Sequence, residues 1–479
     1  MFRTVVSTIA SLFLATLLLT VLAESSDACS TFKLQKGDEF FYGHVLDEPG
    51  MTIPGMIYIN QRGVFKKGRS YGEMFSTDKP ILFYSGVVEE SELSWISRYG
   101  SVTMSQWGRD FPDGGYNEAG LFIWEMGMVG TGYPVDNNLP RLLQMNWMQY
   151  ILDNCCTIDE AITAAHDIEL KGWHWHYFVG DRVGNCATIE FFDGKVVVHR
   201  GEDLPIPVLF NDSYEREMEQ LRAFKGFGGT YDIDFENKHV PRIAKSAAMI
   251  RDFDPENDDG LKYARELLWQ VGNKPYKWGI LIDVNRQVVH FATEDHLKWK
   301  SFSLKDIDFS HNGPVMTLPL DQEKDGDVSS RFHPMQDSEA EELLMKFGLP
   351  DSFFDFFGFT REQYAHKFAT AYHLSEETEY HYFAGVWSGV GNKKDDSGNA
   401  EQFTLTLICD GSNVDGTVVF KGSEYSIQHI RLIDKELSFT FINDEGRIFF
   451  PKGAIDKDII DLEVRRNSRF IDNYRLIRQ

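Results

Sequence analysis

Asp27-Ala28-Cys29-Ser30-Thr31-Phe32 is the stretch on which the reading of the whole chain turns. A small residue, Ala28, directly precedes Cys29, so a signal peptidase cutting at that bond leaves Cys29 as a new N-terminus. A cysteine in that position carries a thiol nucleophile and a free α-amine on one residue. An unperturbed α-amine has a pKa of about 7.7–8.0, which makes it a base beside the thiol. Upstream, Arg3 and an apolar run over residues 9–22 form a charged n-region and an h-region, too short and wrongly flanked for a retained anchor. Residues 1–28 are therefore read as a signal peptide and the protein as secreted or periplasmic. Cleavage after Ala23 instead leaves residues 24–28 as a short propeptide still to be removed.

Two plainer readings compete for Cys29: a lipid-modified anchor, or a small buried residue near the N-terminus. A lipid-anchor signal normally has a large aliphatic residue three before the cysteine, and here Ser26 and Asp27 stand in the way. An anchor is usually followed by a polar tether. Residues 30–35 instead read as a strand, with Phe32 and Leu34 alternating against Thr31, Lys33 and Gln35. Gly37-Asp38 makes a turn and residues 40–43 return, so the cysteine is built into a sheet.

The 479 residues suit two or three domains, and 42% apolar with 25% charged residues are globular values. Aromatic residues reach 14%, which suits large sheets or an apolar cleft. A net charge of −25 argues against nucleic acid and anionic membrane surfaces as partners. Beyond the leader, no segment approaches the length of a membrane span, so no stable membrane insertion is expected. The five cysteines are odd in number and show no metal-ligand spacing; setting Cys29 aside leaves four, enough for two bridges of undetermined connectivity.

After the hairpin comes Tyr42-Gly43-His44-Val45-Leu46-Asp47, a strand ending on an acidic residue. Cysteine followed by serine, a hairpin, and Gly-x-x-Leu-Asp together resemble the choloylglycine hydrolase and penicillin V acylase family, N-terminal-nucleophile hydrolases of linear amide C–N bonds. The resemblance implies that Cys29 is the nucleophile and that Asp47 hydrogen-bonds its α-amine. Family members usually have arginine where this chain has His44. A protonated His44 supplies positive charge below about pH 6.5 if unperturbed; a neutral one does not.

Further segments extend the likeness in one collinear order over roughly residues 29–300. Gly114-Gly115-Tyr116-Asn117-Glu118-Ala119-Gly120-Leu121 resembles the family's Asn-Glu-x-Gly-Leu turn, where Asn117 and Gly120 serve turn geometry. A little further on, the family places a substrate-facing residue whose backbone N–H helps an oxyanion hole; Glu125, Met126 and Gly127 are all candidates. Two helices are expected over residues 140–166, the second opened by a Thr157–Glu160 capping box. Trp173-His174-Trp175-His176 puts two histidines on one strand face, but no third ligand has a recognisable spacing. The resemblance implies no metal and no cofactor, and packing is the preferred role for these histidines. Residues 187–192 and 195–199 flank an Asp193-Gly194 hairpin turn.

Asn211 follows an apolar strand and precedes a helix carrying Tyr214, Met218 and Leu221. The resemblance makes it an oxyanion donor, a role whose loss typically costs about two to three powers of ten in rate. Its plain alternative is a helix cap. Asn211-Asp212-Ser213 is also a glycosylation sequon, and a glycan there contradicts a buried catalytic role. Arg242, opening another helix, is assigned to the active site by resemblance alone.

The expected fold is α+β: a four-layer αββα sandwich over residues 29–320, a linker and helical segment over 321–380, and an accessory β domain, lipocalin-like or a small sandwich, over 381–479. The expected function is hydrolysis of a small-molecule N-acyl amide through a thioester, with bile salts, penicillin V, acyl-homoserine lactones and fatty amides as the substrate types. The alternatives are an extracellular binding protein of the same fold with impaired catalysis, and a lipoprotein anchored through Cys29. The oligomeric state is left open, a homo-oligomer included.

Overall fold

The computed structural model describes residues 29–48, 50–75, 91, 93–136, 138–272, 274–310, 313–373, 385–394, 398–410, 413–433, 436–456, 459–466 and 469–478. The leader and propeptide read over residues 1–28 lie outside them.

Two large sheets carry the first part of the chain. The seven-stranded sheet has Ser30–Lys36 and Glu39–Leu46 near one edge, flanked by Val208–Leu209 outside and Trp278–Asp283 inside. In the nine-stranded sheet Phe122–Gly127 lies in the interior, between Gly114–Asn117 and Trp175–Gly180. Alternation along the first hairpin divides two cores. Phe32, Leu34, Phe41 and Val45 pack with Ala244, Ala247, Leu267 and Leu268 from the helices Arg242–Asp252 and Gly260–Val271. Phe40, Tyr42 and Leu46 join a different cluster, together with the nine-stranded sheet. There the Tyr42 ring stacks on Phe122 at 4.8 Å and the His44 ring on Trp124 at 4.3 Å. On the nine-stranded sheet Phe178 meets Tyr42, whereas its neighbour Tyr177 meets Trp147 of the helix Gln144–Asn154.

Local chemistry explains the connections. Asp193 (φ 49°) and Gly194 (φ 71°) both take the left-handed conformation that a two-residue hairpin turn requires. The Thr157–Glu160 capping box is formed in both directions. The first of the two expected helices begins only at Gln144, because Arg141–Leu143 pairs in parallel with Glu169–Lys171. Asn117 does more than shape its turn: its Oδ1 accepts from Leu121 N at 2.8 Å and its Nδ2 donates to the carbonyls of Leu152 and Cys155, both at 2.8 Å.

Residues 321–373 differ from a linker. Gly326–Asp327 and His333–Pro334 extend the two sheets. Leu344, Phe354, Phe357, Tyr364 and Phe368 from the following helices enter the same core as the nine-stranded sheet. The aromatic run at 353–357 thus finds its partner surface within the amino-terminal unit. Residues 374–384 lie outside the described ones.

The last part is a closed barrel of eight antiparallel strands, Gly385–Lys394 through Arg469–Arg478, with the first strand pairing the last. Closure removes free edges and decides between the two expected forms in favour of a barrel. Trp387, Phe403, Leu405, Phe420 and Leu476 fill its interior, and Ile96 of the amino-terminal unit packs against that cluster. Cys29, Cys155, Cys156 and Cys186 are all free thiols, so no bridge forms among them; the Cys409 side chain lies outside the described residues. Among the described residues no helix is long and apolar enough to cross a membrane, and no group of three or more acidic, histidine or cysteine side chains has metal-binding geometry.

Gly114 shows how tightly the sheets are keyed. A Cβ there would lie 2.1 Å from Trp124 Cδ2, the ring that covers His44. Gly114→Ala is expected to destabilise the protein by about 1–3 kcal/mol through overpacking, measured by denaturant unfolding. An unchanged midpoint would mean that Trp124 moves aside freely.

Candidate active site

Cys29 immediately precedes the first strand and is only 4% exposed. Its backbone nitrogen donates to Asn211 Oδ1 at 2.9 Å. Its thiol points to the Asp47 carbonyl oxygen at 3.9 Å, and Asp47 itself is buried. Arg242, first residue of its helix, reaches across with three hydrogen bonds. Its guanidinium donates to Cys29 O at 2.8 Å, Ser30 Oγ at 3.0 Å and Asn211 Oδ1 at 3.0 Å, and lies over the Phe210 ring at 5.0 Å. Ser30 Oγ donates onward to Val271 O at 2.9 Å, so the strand start is held from both sides.

Asn211 closes the arrangement by donating from Nδ2 to Gly127 O at 2.8 Å. Two donors meet its oxygen and one acceptor meets its nitrogen, which fixes the amide orientation. It is not the cap of the following helix; that role falls to Ser213, whose side chain accepts from Arg216 N. A glycan on Asn211 would have to displace these contacts. The structure therefore brings Cys29, Asp47, Asn211, Arg242 and Gly127 together from strands and a helix far apart in sequence.

His44 occupies the same inter-sheet face, with Nδ1 2.8 Å from Thr31 Oγ1. That hydroxyl also lies 2.8 Å from Met126 Sδ, which gives Met126 a packing contact in the site. Full burial pushes the imidazole well below its ordinary pKa. His44 is thus neutral, and the positive charge that its sequence position allows is not supplied. A stacked ring cut off from solvent, bonded to a hydroxyl rather than a carboxylate, has nothing to stabilise the cation.

The remaining electrostatics are acidic. Burial pushes the Cys29 thiol well up, and the carboxyls of Glu125 and Glu48 push it further, against the single favourable contact from the Asp47 backbone. Glu125 is itself raised well above the carboxylate range by burial, then by Asp113 and Glu48, and its Oε2 has no hydrogen-bond partner. Glu48 rises to about 7 through burial. Glu125 cannot offer its backbone N–H to a substrate, because that group donates to Asp113 O at 3.2 Å. Glu48 was not legible as a site residue; its position directly after Asp47 was the only available signal.

The histidines of the Trp-His-Trp-His run separate. His174 Nδ1 bonds Thr131 O at 2.8 Å. His176, buried in its strand, contacts Glu190 and Phe210 O at 3.2 and 2.6 Å.

Glu125→Gln removes the carboxyl that, after burial, raises the thiol most. It is expected to lower the Cys29 pKa and speed alkylation by iodoacetamide at pH 8, about tenfold for every pH unit by which the thiol pKa falls. A slower or unchanged rate would mean that Glu125 does not act on the thiol.

No family model matches the chain. A penicillin V acylase of Pectobacterium atrosepticum is 25% identical over 189 residues, 36% of this chain and 50% of that protein. The chain thus spans half the length of this curated relative. The structure of penicillin V acylase from Agrobacterium tumefaciens superposes with a TM-score of 0.53 at 20% identity, covering 64% of this chain and 98% of that one. A variant of conjugated bile acid hydrolase from Clostridium perfringens gives a TM-score of 0.46 at 13% identity, covering 63% and 99%. The resemblance read from the motifs and the fold point the same way: part of this chain is similar in sequence to one penicillin V acylase, and its fold is similar to that of another.

Proposed function

We propose that the chain is a secreted N-terminal-nucleophile hydrolase that cleaves a linear N-acyl amide through a thioester on Cys29. The observation that carries this reading is the buried Cys29 nitrogen held at 2.9 Å by Asn211, itself held by Arg242, with the thiol beside Asp47. Removal of residues 1–28 turns that nitrogen into an α-amine with its acceptor already in place. The amine takes the thiol proton, directly or through water, and the thiolate attacks the amide carbonyl. Asn211 Nδ2 carries two hydrogens, and one bonds Gly127 O, which leaves the second for the developing oxyanion. A backbone N–H from the 126–127 strand end is the second donor. The amine product leaves and water hydrolyses the thioester. Arg242 orients the Cys29 carbonyl and Asn211, and Asp47 lines the amine. The two sheets with their helices correspond in this reading to the four-layer αββα order, and the barrel is an accessory unit.

The neutral His44 and the raised thiol favour one competing reading, an extracellular binding protein with impaired catalysis. One set of measurements separates them. The secreted protein is sequenced from its N-terminus and assayed on conjugated bile salts, penicillin V, an acyl-homoserine lactone and a fatty amide. An unblocked Cys29, turnover of one class, and loss of at least about a thousandfold in Cys29→Ala are expected. Undiminished hydrolysis by folded Cys29→Ala would sink the mechanism. An unblocked Cys29 without turnover supports the binding protein, and a diacylated Cys29 the anchor.

A further inference from the structure

Asn211 holds the Cys29 nitrogen, yet the strand before it, Val208–Leu209, is short and lies at the edge of its sheet. What fixes the Phe210–Asn211 peptide comes from the opposite sheet. His176 Nε2 lies 2.6 Å from Phe210 O, and its Nδ1 lies 3.2 Å from Glu190 Oε1. A carbonyl oxygen and a carboxylate are both acceptors, so each ring nitrogen must carry a hydrogen for both bonds to form.

We infer that His176, held between Glu190 and the Phe210 carbonyl, is a positioning residue that fixes the Phe210–Asn211 peptide and, through Asn211, the Cys29 amine. Both side chains are fully buried, so solvent cannot readily take over either contact. A buried polar ring is costly to leave unpaired, and a carboxylate on one side and a carbonyl on the other hold it in one orientation. Glu190 Oε1 accepts from Tyr214 N at 3.1 Å, while Oε2 lies 3.2 Å from His199 Nδ1 without a hydrogen-bond partner. Burial pushes its carboxyl up, but the contacts from His176, His199 and Tyr214 outweigh it and hold the group at about 2. The other ionisable groups around the pair are Tyr214, whose hydroxyl donates to Ile206 O, and the buried thiol of Cys186.

The position of His176 matches this task. It pairs with Met126 on the neighbouring strand, one residue before Gly127, whose carbonyl takes the Asn211 Nδ2 hydrogen. The same strand pair therefore holds Asn211 by its backbone through His176 and by its side chain through Gly127. Releasing the His176 ring frees the Phe210 peptide to rotate, and the Asn211 amide rotates with it. The chemical step should suffer while substrate contacts elsewhere stay intact.

The kinetic readout rests on the amide-hydrolase reading; the alkylation readout given last does not. Glu190→Gln removes the carboxylate that holds the His176 ring; it is expected to lower kcat about ten- to a hundredfold with KM little changed. Made on top of Asn211→Ala, it should cost nothing more, because its effect passes through Asn211. Equal losses in both backgrounds would show a general structural role and overturn it. If the parent turns over no amide, the function reading fails alone. The alkylation rate of Cys29 then replaces kcat in the same comparison, and an unchanged rate in folded Glu190→Gln counts against positioning.

Discussion

A nitrogen buried at the head of a strand needs an acceptor, and in this protein the acceptor is the side-chain oxygen of Asn211. Satisfying that one group organises the site. Asn211 can present its oxygen to Cys29 only if its nitrogen has an acceptor too, and Gly127 O provides it. Arg242 completes the set by donating to the same oxygen and to the Cys29 carbonyl. Segments far apart in sequence are thus tied at one point, where the two sheets face each other. The tight inter-sheet packing around Trp124 and His44 gives the point its rigidity.

The charge balance around the thiol is unusual for a nucleophile. Glu125, Glu48 and Asp47 surround it with acid, His44 is neutral, and the guanidinium of Arg242 is directed at backbone and amide oxygens. An uncharged thiol is favoured until a base acts on it directly. Asn211 is held by Arg242 at its side-chain oxygen, while His176, beside Glu190, contacts the Phe210 carbonyl before it. Positioning and thiol activation are therefore assigned to different groups, and they can be perturbed separately.

Much of the local structure was legible because it depends on neighbours in sequence. The Cys29 hairpin, the Asp193-Gly194 turn and the Thr157–Glu160 cap follow from alternation, turn chemistry and reciprocal capping. The expected helices after residue 337 are present, but the segment is no linker, because composition says nothing about what it packs on; Phe354 and Phe368 complete the main core. Pairing between the first and last strands of the C-terminal unit is likewise non-local, so alternation alone leaves barrel and sandwich open.

The sequence by itself determined which residue types are chemically able to act: a cysteine just before a hairpin, an acid after it, an amide at a strand end and an arginine at a helix start. The tertiary structure decided what each can do. Burial made His44 neutral and raised Glu48 and Glu125, and burial is a property of the packed sheets rather than of any motif. The same packing turned His176 from an apparent filler into a group with two acceptors. Hydrogen-bond partners that lie 14 and 34 residues away in sequence cannot be read from spacing, because only the paired strands bring them within reach.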